Sequence, residues 1–121
     1  MSFPPEDLER IEASRLVRIE TQRPHGPVHL TTIWVVVDGE QVFVRSWHGV
    51  AARWYREALA NPAVAIHVGK HRIPATAVHA TDPDSVERAS AGLLRKYAGD
   101  PATASMVRDE ILGTTLRLEP V

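Results

Sequence analysis

Residues 28–37, VHLTTIWVVV, constrain the possible folds more than any other stretch of this chain. Threonine, β-branched and aromatic residues dominate it, which suits a pleated strand. Ile33 through Val37 carry no polar side chain, so this strand needs cover on both faces. Asp38-Gly39 follows directly, and that pair favours a two-residue hairpin. The run from Val42 to Trp47 therefore pairs back antiparallel.

The period of the pattern then changes. Val42, Val44 and Ser46 alternate with Phe43, Arg45 and Trp47, the two-residue repeat of a strand. After Gly49, residues Ala51, Trp54, Tyr55, Ala58 and Leu59 fall on one face of a helix. Asn61-Pro62 ends that helix, because a residue before proline is driven out of the α region. Arg45, Ser46, Trp47, His48 and Gly49 thus lie just before a helix N-terminus, with Arg53 one turn inside. Free N–H groups, the positive end of the helix dipole and two arginines converge there, the make-up of an anion site. The same arginines also suit an ordinary solvated surface.

On either side of this centre the elements follow from local signals. Residues 4–13 read as a short helix opened by two prolines, and 14–22 as a strand. Residues 23–27 hold two prolines and a glycine and form a turn. Residues 63–69 and 73–81 form a second antiparallel pair around Gly69-Lys70-His71, with Pro74 marking an edge or a bulge. Asp82-Pro83 caps and opens a longer helix whose inner face is Val86, Ala89, Ser90, Leu93, Leu94 and Tyr97, and Gly99 ends it. Asp100-Pro101 repeats the signal for a shorter helix, and 114–119 is a closing strand. Six strands joined mostly by hairpins, with few helices, predict an α+β fold: a six-stranded antiparallel barrel, which removes most exposed edges. At 121 residues, one domain is expected, with a helix in 1–13 and barrel plus helices in 14–119.

Composition narrows the function. A formal net charge of -1 gives no broad attraction to nucleic acid or anionic membrane. With no cysteine there is no disulfide, zinc-thiolate site or cysteine nucleophile. The acidic N-terminal stretch lacks the make-up of a signal peptide and no apolar run spans a bilayer, so a cytoplasmic location is the expectation. His29, His67 and His79 fall on separate strands with no spacing that unites them, and no metal is expected. Ser46 has no neighbouring acid–base pair to make it a nucleophile. Trp34 and Trp54 read as core residues, and Tyr97 as a helix-end core residue with its hydroxyl at the surface. His48 suits a loop exposed to water as well as a proton donor, and Trp47 suits ring stacking as well as dimer packing.

The chain also resembles the split-barrel flavin and deazaflavin proteins, most of all the branch with deazaflavin-dependent nitroreductases and a related bacterial domain family. The resemblance covers roughly residues 14–118. It is carried by Thr31-Thr32-Ile33-Trp34, the Asp38-Gly39 hairpin, Arg45-Ser46, the Trp54-Tyr55 pair and Ala60-Asn61-Pro62 with Val64. It implies a six-stranded split β-barrel, a homodimer, and FMN or the deazaflavin coenzyme F-420 in a groove at the dimer interface. Phosphate or tail contacts would fall at Arg45, Ser46, Trp47, Gly49 and Arg53, and the ring at Thr31, Thr32 and Ile33. Many relatives have a longer, lysine- and glycine-rich loop where this chain has Trp47-His48-Gly49, and the choice between the two cofactors stays open. An oxidoreductase follows. The alternatives are a non-catalytic holder of a flavin, haem or other planar ligand, and a cofactor-free dimeric barrel.

Overall fold

In the computed structural model, which describes residues 2–121, helix α1 (Pro5–Ala13) leads into strand β1 (Val17–Gln22). The long apolar segment that follows is two strands, not one: β2 (Val28–Ile33) and β3 (Val36–Asp38), parted by Trp34 and Val35. β4 (Gln41–Val44) leads through a 3-10 turn at Gly49–Ala51 into helix α2 (Arg53–Ala60). Then come β5 (Ala63–Val68), β6 (His71–His79), α3 (Pro83–Lys96), α4 (Thr103–Met106), a second 3-10 turn at Asp109–Thr114, and β7 (Leu116–Pro120).

The strands form one antiparallel sheet in the order β2-β1-β5-β6-β7-β4-β3. The expected strand number of six becomes seven, and the reason lies at Trp34-Val35. Before this point the chain pairs with β1, through Val17 opposite Ile33. After it the chain pairs with β4, through Val36 opposite Phe43. One bent segment supplies both edges of the sheet, so the sheet curls around on itself.

The curl explains why Ile33–Val37 holds no polar side chain. Val35 faces the inner core with Val17, Ile19, Val42, Val44, Ile66, Leu116 and Leu118. Val36 faces outward into a second core with Phe43, Ala89, Leu93, Tyr97, Met106 and Ile111, beneath α3 and α4. Here α3 approaches closely: a Cβ on Gly92 would stand 3.1 Å from Val36. The helix begins as expected, with the Asp82 carboxylate accepting from Ser85 N–H at 3.0 Å. Leu94, assigned to its inner face, is 53% exposed, and Gly92 takes the inner position.

Two further expectations change. α2 starts at Arg53 and buries Trp54, Tyr55, Glu57 and Ala58, while Ala51 lies in the preceding turn and Leu59 is 47% exposed. β4 stops at Val44 because Ser46 N–H leaves the ladder for the Thr114 hydroxyl, at 3.0 Å. Pro74 lies one residue before the β6–β7 pairing begins at Ala75, so its missing N–H removes no bond there.

Candidate cofactor site

A cavity of about 350 Å³ opens between the end of β2, the end of β4, the start of α2 and α4. All three tryptophans of the chain, Trp34, Trp47 and Trp54, line it. Of the eight residues predicted from sequence, Thr31, Thr32, Ile33, Arg45 and Trp47 line it as well, together with His48. Ser46, Gly49 and Arg53 are not in its wall.

The bend at Trp34-Val35 sets the first wall. Changing pairing partners takes the Val35 backbone out of the ladder, and buried N–H and C=O groups must be satisfied elsewhere. α3 does this. Val35 N–H donates to the Tyr97 hydroxyl at 3.1 Å, and Val35 C=O accepts from Lys96 Nζ at 2.7 Å. The Tyr97 hydroxyl donates in turn to Arg15 C=O at 2.7 Å. The surface hydroxyl expected for Tyr97 is therefore corrected: its interior partners bury it fully. Its ring lies flat on Trp34, centroids 3.9 Å apart and planes 3° from parallel. Trp34, expected in the core, is half-buried between this tyrosine and the cavity. Burial pushes the Tyr97 phenol pKa up, and burial pushes Lys96 down.

Arg45 supplies the cavity's buried charge. Its side chain is 2% exposed, and four hydrogen bonds hold it: Nε to Thr115 Oγ1 at 2.9 Å, Nη1 to Ser90 Oγ and Met106 C=O at 3.0 Å each, and Nη2 to Val86 C=O at 3.1 Å. All four acceptors are neutral, and among the described residues no carboxylate pairs with it. Desolvation alone lowers its pKa from the ordinary guanidinium range to about 10. A guanidinium has five N–H groups, so one remains for a ligand. A buried cation without a counter-charge favours an anion beside it.

The loop after β4 is folded on itself. Ser46 Oγ donates to Gly49 C=O at 2.7 Å, and Gly49 N–H returns to Ser46 C=O at 3.1 Å. Gly49 has φ +66°, a backbone region that side chains disfavour. Trp47 is 47% exposed at the cavity mouth; Arg108 donates to its carbonyl at 2.6 Å and stands 5.9 Å from its ring. Arg53 is exposed, and its charge acts on Glu57. The helix start is displaced from the loop, since a 3-10 turn at Gly49–Ala51 intervenes and α2 begins only at Arg53; neither has a side-chain cap.

Glu57 escaped the sequence reading. It lies buried under β1 and β2, accepting from Thr21 Oγ1 at 2.8 Å and facing His29 Nδ1 at 3.0 Å. Burial pushes its pKa up, but the hydrogen bonds from Thr21 and His29 and the nearby positive charges outweigh that, and it sits below the ordinary value. The three strand histidines go to separate partners: His29 to Glu57, His67 to Glu20 at 2.8 Å, and His79 to Gly113 C=O at 2.7 Å. Among the described residues no three His, Cys, Asp or Glu side chains are grouped to hold a metal. Nor is any helix of them long and apolar enough to cross a membrane.

The family described as an uncharacterized protein conserved in bacteria (DUF2255) matches residues 7–118, and this chain belongs to it. No curated protein matches. Among solved structures the chain is similar to HutZ, the heme storage protein from Vibrio cholerae, at 18% identity and TM-score 0.72, covering 100% of this chain and 92% of that one. It is similar to an F420 reductase at 20% identity and TM-score 0.66, covering 98% and 96%. It is also similar to a putative pyridoxamine 5'-phosphate oxidase from Listeria innocua at 16% identity and TM-score 0.66, covering 95% and 90%. At these identities the likeness is one of fold: a curled antiparallel sheet with peripheral helices, as in the pyridoxamine-phosphate-oxidase-like proteins.

Proposed function

Starting from membership of that bacterial family, we propose that the chain is an oxidoreductase that binds FMN or the deazaflavin F-420 in the tryptophan-lined cavity. The observation that carries this reading is Arg45: a buried cation without a carboxylate, in the wall of a cavity otherwise dominated by indoles. A ligand that suits both is a flat conjugated ring bearing an anionic group. The bound ring system supplies the hydride chemistry, so the protein needs no catalytic triad. Its own residues bind and orient. Thr31, Thr32 and Ile33 give the strand edge along which a ring would lie. Arg45 offers its remaining N–H and its charge, and Trp47 covers the mouth. The tail contacts at Ser46, Gly49 and Arg53 belong to this proposal too; they need the loop to exchange bonds it now makes within itself.

The proposal includes a homodimer. Leu16, Trp47, Val28 and Leu30 are exposed apolar residues, the first two on the cavity wall and the others on β2. A second copy would bury them, and light scattering should give about twice the chain mass of 13.4 kDa.

The test is titration of the purified protein with FMN and with F-420, following quenching of tryptophan emission and the ligand's own spectrum. Saturable binding of either, followed by reduction of a bound flavin with NADPH or turnover of reduced F-420, supports the reading. Flat titrations with both refute it. The likeness to a heme storage protein favours one second reading, a non-catalytic haem holder in the same cavity. A Soret band on adding haemin, with no response to FMN or F-420, would select it.

A further inference from the structure

The Trp34–Tyr97 pair does more than fill space. Tyr97's hydroxyl satisfies the bend at Val35, which needs no indole next door. Yet its ring lies parallel on Trp34, and Trp34 reaches the cavity where Tyr97 does not. Tyr97 therefore covers one face of the indole. Trp34 lines the cavity and Tyr97 does not, so the part of the indole that a ligand can reach is a part Tyr97 leaves uncovered. The backbone of Trp34 is held from both sides, by Ile33 paired with Val17 and by Val36 paired with Phe43. Arg15 and Lys96 stand 5.3 Å and 5.5 Å from the centroid of the Tyr97 ring. An aromatic plane fixed in this way loses little freedom when a ligand binds against it. Arg45, by contrast, has one uncommitted N–H and cannot grip an anion with a two-pronged fork.

We propose that Trp34 is the specificity-determining residue of this cavity. A planar conjugated ring is selected by stacking on the uncovered part of its indole, with Tyr97 as the rigid backing and charge recognition at Arg45 secondary. This deepens the cofactor reading and rests on it. Stacking of this kind is worth about 10- to 100-fold in affinity, roughly 1.4–2.8 kcal/mol by truncation.

The test uses lumiflavin, the isoalloxazine ring without a phosphate tail. The wild-type protein should bind it, read as quenching of lumiflavin's own fluorescence. Trp34→Leu should weaken that binding about 10- to 100-fold, and Trp34→Phe should recover most of it. A second measurement avoids any folding defect in the variants. In wild-type protein, lumiflavin should shift the indole proton resonances of Trp34 by ring current. Unchanged affinity in a folded Trp34→Leu, shifts confined to Trp47, or no lumiflavin binding at all would each overturn the inference. Protein that takes FMN but not lumiflavin likewise overturns it and leaves the cofactor reading standing. Protein that stacks lumiflavin on Trp34 but takes neither FMN nor F-420 supports the inference and removes the cofactor reading.

Discussion

Arg45→Met separates a structural arginine from one kept for a ligand. The variant removes four hydrogen bonds to neutral acceptors. At about 1–1.5 kcal/mol each their loss costs about 4–6 kcal/mol. Against this stands the relief of a buried charge. The fall in pKa from the ordinary guanidinium range to about 10 corresponds to about 3 kcal/mol spent on keeping the guanidinium charged inside the protein. Methionine retains most of the apolar stem and fills irregular space. The acceptors are not all orphaned either: Thr115 Oγ1 still donates to Leu112 C=O at 2.8 Å, and Val86 C=O stays within α3. The net loss is therefore about 1–3 kcal/mol, to be measured as a lower urea midpoint at constant slope. FMN or F-420 affinity should fall at the same time by about 10-fold or more, the value of one charge-assisted contact. A stability loss above about 5 kcal/mol would mean that neutral acceptors alone repay the buried charge. The case for an anion beside Arg45 would then collapse, whatever the cavity binds.

Glu20 accepts two hydrogen bonds from Arg72 and one from His67, and these lower its pKa from 4.5 to about 2. Its contribution is thus present above about pH 4.5 and lost as pH falls toward 2, so Glu20→Gln should flatten the acid limb of the stability curve by about 1–2 kcal/mol, discounted for the exposed arginine; an unchanged limb refutes the assignment. Gly92→Ala gains helix propensity of about 1 kcal/mol but sets a methyl 3.1 Å from buried Val36, and thermal unfolding should show a net loss of about 1 kcal/mol. Tyr97→Phe leaves the buried Val35 N–H without its acceptor and should cost about 1–3 kcal/mol in urea unfolding. Trp34 emission should also broaden or shift as its backing loosens, and a variant as stable as the parent would show that the hydroxyl does not hold the bend.

What the sequence made legible was local. The Asp82 cap and the helix end at Asn61-Pro62 depend on residues within a turn of one another and form as read; the hairpin signalled by Asp38-Gly39 forms too, but its two-residue loop is Gly39-Glu40, with Asp38 still paired to Gln41. The bend at Trp34-Val35 was hidden because an unbroken apolar run looks the same whether a strand continues or changes partners. Only the wider sheet decides which of Val35 and Val36 faces which core. Glu57 was hidden for a similar reason. On an amphipathic helix a carboxylate reads as the wet face, and its burial becomes tolerable only through Thr21 and His29, 36 and 28 residues away. The loop at Arg45–Gly49 shows the limit for sites. Sequence counts the donors near a helix start, but not the acceptors that claim them, and here Arg45 and Ser46 are largely committed within the chain.

Curling the sheet and building the cavity wall are consequences of one backbone event. A segment that feeds both edges of a sheet must break its own ladder once, and the break strands the polar groups of at least one residue. In this chain that residue is Val35, and α3 answers with Tyr97 and Lys96. The side chain best able to reach the Val35 N–H and Arg15 C=O from the end of α3 is a long rigid one, and its ring has to come to rest somewhere. It comes to rest on the residue just before the break. Trp34 is consequently fixed because the chain passes there from one edge of the curled sheet to the other, and a fixed indole beside a cavity is a recognition surface at no further conformational cost. It follows that residues holding the bend and residues tuning the ligand are not separable sets in this fold. Substitutions at Tyr97 or Lys96, which touch no part of the cavity, should alter ring binding through Trp34 while leaving the Arg45 charge where it is.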